Sequence, residues 1–398
     1  MSYVLVDLDV LEPIPSLQLG DEDTGVGIVV RRGGRPVGFV LEPLPQGTTL
    51  SADEVDALMG RAADGILHDA VLEELGRGPS APAPSITAAI CTHGRPALLS
   101  RCLEHLVAHT EGLDVLVVDN APPDTATRDV AASFPGVRYT VEPVPGLDMA
   151  RNRALREARG DVVAFLDDDV VIDRGWLAGL REAWALHPDA GVVTGLVLPY
   201  ELETEAQIVF EQYGGFRRGF RMVRYQGDAL PGNPLFPYGA GMFGVGCNMS
   251  VRRELVQRLG GFDEALDTGA PLPGGGDLDI FHRVLRSGAP LVYTPACAVH
   301  HQHRRELEAL RRQLYTWGTG HMAYVQKTYA RDVEGRARLR RLVLWQLRRQ
   351  GSEGVAALRR RGALPVSVAF AQLGGSLVGL TGTYRRSAKR TRKLRSPS

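Results

Sequence analysis

In the run Val162-Val163-Ala164-Phe165-Leu166-Asp167-Asp168-Asp169, an apolar segment ends in three adjacent carboxylates. A buried strand that ends in stacked acids is costly, because like charges repel and each carboxylate loses hydration. A bound cation offsets that cost, and oxygen ligands at the end of a strand suit Mg²⁺ or Mn²⁺. The alternative is a solvated acidic turn that caps the helix predicted near Trp176. The acids alone leave the two interpretations equally open.

Strands and helices alternate regularly around this stretch. The predicted strands are 86–91, 114–118, 137–141 and 162–166, and the predicted helices are 96–109, 125–133 and 149–159. This alternation is typical of a parallel sheet covered by helices. In such sheets ligands bind beyond the carboxyl ends of the strands, so we expect Thr92, Asp119 and the three acids to line one crevice.

A different pattern precedes this α/β region. Short apolar segments around Val4, Val29 and Phe39 predict strands, and a Ser51/Glu54 capping box predicts the start of a helix that runs from Ala52 to Leu75. Residues 76–84 are rich in Gly and Pro, which is typical of a linker. We therefore predict a small N-terminal α+β module at residues 1–80, whose role is open between acceptor binding and oligomerisation.

The C-terminal part of the chain is strongly basic. From Lys327 onward there are eighteen Lys and Arg residues and three acids, and the pattern is helical. The predicted domains are therefore 1–80, 85–325 and a helical basic region at 326–398. The segment from Arg359 to Lys393 either rests on anionic lipid at the inner face of the membrane or is a solvated tail. Nucleic-acid binding is disfavoured, because aromatic residues do not interleave with the charges.

Composition limits the class of protein further. The chain has 398 residues, 44% of them hydrophobic, and its formal net charge of zero favours no partner. The cysteines at 91, 102, 247 and 297 show no CxxC spacing, which is typical of reduced thiols in a cytoplasmic protein. The N-terminus lacks the features of a signal peptide. An uninterrupted apolar stretch of about 18 to 20 residues is missing, so we expect no transmembrane helix.

The polar residues at the predicted strand ends are candidates for nucleotide binding, and each has a structural alternative. Thr92 could hydrogen-bond a base or a ribose, or cap the helix that follows. Asp119 could accept from the N3–H of uracil, or act as another N-cap. Arg151, in the first turn of a helix beside Asn152, suits a base edge or a diphosphate, although a lone arginine is more often an exposed helix charge.

Two further motifs lie in the second half of the chain. The glycines of 274–276 lead into an amphipathic helix, so Asp277 is either a general base at a helix N-terminus or a helix cap. A strand that begins near Leu291 ends in the run 299–303, where period-two alternation puts His301 and His303 on one face and His300 on the other. A neutral histidine beside a carboxylate-bound cation completes an Mn²⁺-type site, whereas lone histidines more often fill surface or core positions.

The order of these motifs resembles that of the family 2 inverting glycosyltransferases of the A-type (GT-A) fold, over about residues 85 to 325. The most specific motifs are Gly160-Asp-Val-Val-Ala-Phe-Leu-Asp-Asp-Asp169, Gly246-Cys-Asn-Met-Ser-Val-Arg252 with Gly260-Gly-Phe-Asp263, and Gly276-Asp-Leu-Asp279 with Arg283 and Gly288. The resemblance implies a Rossmann-like fold with a mainly parallel sheet. It also implies metal-dependent transfer of a sugar from a nucleoside-diphosphate donor, with a UDP-sugar favoured, to a hydroxyl group of a cell-envelope polysaccharide, glycolipid or other glycoconjugate.

The resemblance also implies a role for each candidate residue. The residues that would contact the nucleotide sugar are Thr92, Arg95, Asp119, Arg151, Asp167, Asp168 and Asn248. Asp167, Asp169 and His301 would hold Mg²⁺ or Mn²⁺, with Asp169 as the metal ligand of the DxD element. Asp277 would deprotonate the acceptor hydroxyl in a single displacement that inverts the anomeric carbon.

The chain departs from the family pattern at two points. Many relatives carry Glu-Asp where this chain has Gly276-Asp277, so an acid that would orient the acceptor is missing. Processive synthases carry Gln-x-x-Arg-Trp, whereas here Thr316 stands in place of the Arg, between Gln313 and Trp317. Together with the lack of predicted transmembrane helices, this favours transfer of one or a few sugars over polymer synthesis coupled to export.

Two other classes of function compete with a glycosyltransferase. A sugar nucleotidyltransferase normally has a Gly-rich phosphate loop with basic residues after the first strand, and residues 91–96 offer one Gly and one Arg. A non-catalytic nucleotide-sugar binding protein is disfavoured by the intact acids at 167–169 and by Asp277.

Overall fold

The computed structural model describes residues 2–75, 80–266, 272, 274–359 and 361–395. The strands are β1 (Ser2–Asp9), β2 (Leu17–Gln18), β3 (Asp23–Arg32), β4 (Arg35–Pro43), β5 (Thr49–Leu50), β6 (Ile86–Thr92), β7 (Asp114–Asn120), β8 (Val137–Glu142), β9 (Val162–Asp167), β10 (Val170–Ile172), β11 (Val192–Pro199), β12 (Val223–Tyr225), β13 (Asn248–Arg252) and β14 (Leu291–His301). The helices are α1 (Ala52–Ala63), α2 (Ile66–Leu75), α3 (Pro96–His109), α4 (Ala126–Ala132), α5 (Leu147–Glu157), α6 (Trp176–Leu186), α7 (Glu205–Gln212), α8 (Arg253–Arg258), α9 (Gly276–Arg286), α10 (Leu307–Arg331), α11 (Arg336–Leu358), α12 (Val366–Gly379) and α13 (Thr383–Arg395).

A nine-stranded sheet forms the centre of the molecule, in the order β10-β14-β11-β13-β9-β6-β7-β8, with β12 paired to β14. The pairings make β6, β7, β8, β9, β11 and β14 run in one direction and β10, β12 and β13 in the other. Every residue of β6 is buried, as expected for a parallel strand covered by helices on both faces. The predicted α/β fold class with a mainly parallel sheet is confirmed.

Each face of this sheet is covered by a separate hydrophobic core. Side chains of α5 and α9, such as Leu155 and Phe281, pack on one face with Phe165. Side chains of α3 and α6, such as Leu103 and Trp184, pack on the other. The two helix layers hold the sheet rigidly, which fixes the positions of the polar residues at its carboxyl edge.

The N-terminal residues form the small α+β module that the sequence predicts, with a three-stranded sheet in the order β1-β3-β4. The Ser51/Glu54 capping box at the start of α1 is confirmed. The single helix predicted from Ala52 to Leu75 is wrong, because the chain breaks into α1 and α2 at Gly65, whose positive φ of 68° does not fit a helix. Of the predicted linker 76–84, residues 76–79 lie outside the described part of the chain.

The N-terminal module packs directly on the central sheet. Val29 of β3 shares a buried cluster with Leu196 and Leu198 of β11 and Ala298 of β14. The backbone N–H of Tyr3 donates to the carbonyl of Leu202 at 2.8 Å. The module therefore covers part of the central sheet at β11 and β14.

The C-terminal region is helical, as predicted, and consists of α10 to α13. The boundary predicted between residues 325 and 326 lies inside α10, so the division into 1–80, 85–325 and 326–398 stays a prediction at that point. In the described part of the chain, no single helix is long and apolar enough to cross a membrane. The helices α12 and α13 meet that requirement of length and composition only as a pair, bent by 66°.

Candidate active site

Strand register brings the predicted polar residues to one edge of the sheet. Thr92 of β6 is paired with Asp119 of β7, and the neighbouring Cys91 is paired with Asp167 of β9. Past a tight turn from β9, Val170 of β10 is paired with His301 of β14. The carboxyl ends of β6, β7, β9 and β14 therefore meet, as expected for a ligand site in an open α/β sheet.

Asp168 and Asp169 are buried at this edge. Thr92 Oγ1 donates to Asp168 Oδ2 at 2.7 Å, and Arg95 Nη1 donates to Asp168 Oδ1 at 3.1 Å. Burial raises the pKa of Asp168, and Arg95 partly offsets this. The acidic run does not cap the helix at Trp176, because Gly175 occupies the N-cap of α6, so the interpretation as a solvated capping turn is wrong. Thr92 likewise bonds to an acid instead of capping α3.

Asp169 faces His301 across a short gap. His301 Nε2 lies 3.3 Å from Asp169 Oδ1, and both side chains are about 6% exposed. Among the described residues, this buried carboxylate oxygen accepts no hydrogen bond. Burial lowers the pKa of His301 to about 4, although Asp169 opposes the shift, so the imidazole is neutral at pH 7. A neutral imidazole beside a carboxylate oxygen that lacks a donor fits a divalent cation.

The third predicted metal ligand, Asp167, does not join this pair. Its Oδ1 lies 4.0 Å from Arg151 Nη2, and within the described ranges no group of three or more His, Cys, Asp or Glu side chains is arranged to hold a metal. Asp167 is the last residue of β9, whereas Asp169 lies beyond the strand in the turn to β10, and the two carboxylates therefore meet different neighbours. Burial and the charges of Asp169 and Asp168 raise the pKa of Asp167, and Arg151 opposes them.

Arg151 is a buried cation beneath the site, not the exposed helix charge that the sequence left open. Its Nη1 lies 3.2 Å from Asp148 Oδ1, and its Nη2 donates to the carbonyl of Gly246 at 3.4 Å. Burial would lower the pKa of Arg151, but Asp148 and Asp167 raise it, so the guanidinium stays charged. The N–H of Gly246 in turn donates to Asp277 Oδ2 at 3.2 Å. Arg151 and Gly246 thus connect the acidic run to Asp277.

Asp277 lies in the first turn of α9, as predicted, and is half-buried. Gly275 is the N-cap and makes no side-chain cap, so Asp277 is not the capping residue. Its Oδ1 accepts from the N–H of Leu278 at 2.9 Å. The carboxylate is therefore held by two backbone donors at the positive end of a helix dipole.

The glycine that replaces an acid in the family pattern has a steric reason in this structure. A methyl group on Gly276 would overlap the carboxylate of Asp148. Asp148 on α5 therefore occupies the space that a side chain at position 276 would need. In the sequence, the only feature of Asp148 that indicates a role at the site is its position three residues before Arg151.

Asp119 is completely buried at the end of β7. Tyr139 donates its hydroxyl to Asp119 Oδ2 at 2.8 Å, while Oδ1 accepts no hydrogen bond from the described residues. Burial raises the pKa of Asp119, and the hydrogen bond from Tyr139 opposes the shift. The alternative role as an N-cap is wrong, because Thr125 is the N-cap of α4.

The predicted contact of Asn248 with the nucleotide sugar is not supported. Its Nδ2 donates to the carbonyls of Leu196 and Cys297 at 3.0 and 2.8 Å, and its Oδ1 accepts from Trp176 Nε1 at 3.1 Å. All hydrogen-bonding groups of this buried amide are thus used by the protein. Asn248 fixes β13 against β11, β14 and α6, which is a structural role.

Three further residues that the sequence analysis did not assign lie at the site. Arg304 Nη1 is 3.9 Å from Asp169 Oδ2, so Arg304 and Arg95 flank the same acid. His303 shares a face with His301, as period-two alternation predicts, and their Nδ1 atoms are 3.0 Å apart. Glu211 Oε1 lies 2.7 Å from His303 Nε2, and no local motif around Glu211 indicates this contact.

Part of the chain matches a known protein family. Residues 87–260 match the family model for glycosyl transferase family 2. The match contains β6 to β9, the acids and Arg151, and it ends before Asp277. The predicted resemblance to glycosyl transferase family 2 is confirmed over these residues, which are less than half of the chain.

Characterised proteins with similar sequences include a glycosyltransferase and a protein of polysaccharide biosynthesis. The pre-mycofactocin glycosyltransferase of Mycobacterium tuberculosis is 29% identical over 261 residues, which are 64% of this chain and 50% of that protein. The succinoglycan biosynthesis protein ExoM of Rhizobium meliloti is 28% identical over 243 residues, or 58% of this chain and 72% of that protein. The chain spans about half the length of the mycobacterial relatives that it matches. These matches support the coarse prediction, a glycosyltransferase.

Solved structures with a similar course of the chain include a mannosyltransferase from Pyrobaculum calidifontis in complex with GDP-Man and Mn²⁺. Its TM-score is 0.47 at 18% identity, covering 83% of this chain and 91% of that one. A structure of GalNAc-T7 with UDP, GalNAc and Mn²⁺ has a TM-score of 0.44 at 13% identity, covering 78% and 58%.

Proposed function

We propose that this chain is a metal-dependent, inverting glycosyltransferase that moves a sugar from a nucleoside-diphosphate donor to a hydroxyl acceptor. The observation that carries the proposal is the buried Asp169 Oδ1, which lies 3.3 Å from a neutral His301 and accepts no hydrogen bond within the described part of the chain. This pair lies at the carboxyl ends of parallel strands, with Asp169 inside the family 2 match and His301 beyond its end.

The donor would be held by residues on both sides of the acidic run. Asp119 Oδ1 is a buried acceptor without a donor among the described residues, and it suits an N–H on the edge of a base such as uracil. Arg95 and Arg304, about 45% and 40% exposed, are within reach of the diphosphate oxygens. Asp169 and His301 would hold Mg²⁺ or Mn²⁺, which neutralises charge on the departing nucleoside diphosphate.

Asp277 would act as the base. One carboxylate oxygen takes the proton of the acceptor hydroxyl while the acceptor oxygen forms a bond to the anomeric carbon of the donor. The bond from that carbon to the diphosphate oxygen breaks on the opposite face, so the configuration inverts. Arg151 bonds to the carbonyl of Gly246 and so holds the segment that contacts Asp277. The N–H groups of Gly246 and Leu278 keep the Asp277 carboxylate in place.

The substrate classes are proposed from family habit and from the printed descriptions of relatives. We propose a UDP-sugar donor and a single hydroxyl acceptor in a polysaccharide, glycolipid or other glycoconjugate. Thr316 and the lack of a single membrane-spanning helix in the described ranges favour transfer of one or a few sugars. The chain matches 50% of the length of the mycobacterial glycosyltransferase, so we do not propose that it shares the substrate of that protein.

A transfer assay with a panel of nucleotide sugars and Mn²⁺ tests this function. The variants are Asp277→Asn and Asp169→Asn, and Glu111→Gln, an exposed acid far from the site, is the matched control. We expect each Asp variant to lower donor hydrolysis and transfer by about 10²-fold or more, because general-base and electrostatic contributions are of that size. Wild-type rates in both Asp variants would refute the assignment.

The location of the enzyme is part of the proposal. The four cysteines are free and buried, and burial raises the pKa of their thiols, which suits a reducing cytoplasm. On α11, Leu344 and Trp345 are 54% and 49% exposed and share a groove with Arg341 and Arg348. Exposed apolar side chains between arginines suit the headgroup region of an anionic membrane. We therefore propose that the α11 face, rather than the segment 359–393 alone, rests on the inner face of the membrane.

Vesicle sedimentation tests the membrane surface. Full-length protein should pellet with phosphatidylglycerol vesicles and remain in the supernatant with phosphatidylcholine vesicles. The double variant Leu344→Glu with Trp345→Glu should lose most of the pelleted fraction, whereas Leu11→Glu, at a residue 66% exposed on the N-terminal module, should not. Pelleting of the double variant at the wild-type level would contradict the proposal.

A further inference from the structure

A continuous chain of side chains leads from the candidate metal pair into the interior. His301 Nδ1 lies 3.0 Å from His303 Nδ1, and His303 Nε2 lies 2.7 Å from Glu211 Oε1. Glu211 is on α7 and also forms an ion pair with Arg217. The side chains of His301, His303 and Glu211 are 6%, 1% and 0% exposed. The contacts are therefore shielded from water along their whole length.

The chemistry of these groups fixes the positions of the protons. The Glu211 carboxylate beside Arg217 is ionised and can only accept, so His303 Nε2 carries the hydrogen. His303 is buried next to the Arg217 cation, which disfavours a second positive charge, and a neutral imidazole has one N–H. Its Nδ1 is therefore the acceptor, and His301 Nδ1 is the donor. The remaining nitrogen, His301 Nε2, then presents a lone pair.

A second electron-rich atom lies close to that nitrogen. Asp169 Oδ1 lies 3.3 Å from His301 Nε2, and neither atom has a hydrogen between them in this arrangement. Two lone pairs at this distance repel each other in a buried site, and a cation bound to both removes the repulsion. Asp169 Oδ1 accepts no hydrogen bond from the described residues, so it has an unused lone pair for such a cation.

Aromatic rings enclose both imidazoles. The Phe216 ring centroid lies 4.9 Å from that of His301, and the Phe210 centroid lies 4.7 Å from that of His303. Trp317 of α10 packs on both Phe rings, at 5.8 and 5.5 Å. This shell restricts rotation of the imidazoles and keeps out water that would compete for their hydrogen bonds. Trp317 belongs to the 313–317 motif that the proposed function leaves without a role.

We propose that Glu211 and His303 are positioning residues that fix the tautomer and orientation of His301 for a divalent cation shared with Asp169. The inference rests on the proposed function, because it takes Asp169 and His301 as the metal ligands. A carboxylate that accepts a hydrogen bond from a metal-ligating imidazole makes that ring a stronger electron-pair donor to the metal. Here Glu211 acts on His301 through the imidazole of His303. Loss of such a partner lowers metal affinity by about 10- to 100-fold.

Mn²⁺ binding to the full chain, followed by electron paramagnetic resonance, tests this role without substrate turnover. The variants are His303→Phe, which keeps a ring beside Phe210 but cannot accept, and Glu211→Gln, which keeps the size but not the charge. We expect Kd for Mn²⁺ to rise about 10- to 100-fold in both. The matched control is His282→Phe, which removes a buried histidine that packs on Tyr238 at 5.1 Å, and its Kd should match the wild type.

The His301→Ala variant separates failure of this inference from failure of the metal site itself. It should lose the ¹⁴N coupling that a bound imidazole gives to the Mn²⁺ signal. If it does, and both Glu211→Gln and His303→Phe keep the wild-type Kd, the positioning role is refuted while the metal site stands. If His301→Ala keeps both the coupling and the affinity, the metal placement in the proposed function is wrong, and the positioning role with it.

A measurement on the wild-type protein keeps the proposal testable if the buried variants do not fold. Long-range ¹H–¹⁵N spectra at pH 7, without added metal, identify which nitrogen of each imidazole carries the hydrogen. We expect Nδ1–H for His301 and Nε2–H for His303. The reverse tautomer at either residue would overturn the proposal.

Discussion

At the scale of single residues, Gly276 explains how this chain departs from the family pattern without losing the geometry around Asp277. A methyl group at position 276 would overlap the Asp148 carboxylate, which bonds to Arg151. We expect Gly276→Ala to lower the free energy of unfolding by about 1–3 kcal/mol and to reduce transfer, because Asp148 and Arg151 must shift. Urea unfolding and the transfer assay measure the two effects. Gly60→Ala, in α1 with open space around it, should be neutral or stabilising; equal behaviour of the two variants would contradict the steric argument.

At the scale of elements, a buried cation joins α10 to the helix that carries Asp277. Lys327 Nζ lies 2.6 Å from Asp263 Oδ2 and 2.5 Å from Asp279 Oδ1, and its side chain is 3% exposed. Lys327→Met leaves Asp263 without its cation, while Asp279 keeps its ion pair with Arg283, so we expect a loss of about 3 kcal/mol in urea unfolding. Arg312→Met, on the exposed face of the same helix, should change stability by less than about 0.5 kcal/mol. A small loss for Lys327→Met would show that this ion network does not hold α10 to α9.

The elements themselves were largely predictable, and the contacts between them were not. The alternating apolar runs predict β6 to β9 and α3 to α5 within two or three residues, because burial on both faces leaves a clear pattern. The positions of Asp119, Asp169 and Asp277 follow from strand and helix ends. Contacts between residues distant in sequence, such as Glu211 with His303, depend on packing that no local pattern records. Asn248 was misassigned for the same reason, since its partners Leu196 and Cys297 come from other strands.

At the scale of the whole molecule, the N-terminal module is connected to the strand edge that carries the metal pair. Arg31 Nη2 of β3 lies 2.7 Å from Asp173 Oδ2, just after β10, and β10 is paired with His301. The Arg217 guanidinium lies 4.4 Å above the ring of Phe39 in β4. Since Arg217 also pairs with Glu211, the module contacts the residues behind the site. We infer that residues 1–80 support the active-site edge, a role that the sequence left open.

The ion pair between Arg31 and Asp173 gives this arrangement a defined pH dependence. Burial would raise the pKa of Asp173, but the hydrogen bonds from His300 and Arg31 hold it at about 2 instead of the usual 3.8. Because the folded-state pKa lies below the unfolded value, ionised Asp173 stabilises the fold fully above about pH 4, and this contribution is lost as pH falls toward 2. The shift corresponds to about 2 kcal/mol. We therefore expect Asp173→Asn to lower the free energy of unfolding by about that amount at pH 7, and the difference from wild type to shrink below pH 4, as measured by urea unfolding across pH.

Asp7→Asn, which removes the half-exposed second partner of Arg31, should cost less than about 1 kcal/mol. A difference between Asp173→Asn and wild type that stays constant from pH 7 to pH 3 would show that the pair with Arg31 is not what holds the module to the sheet.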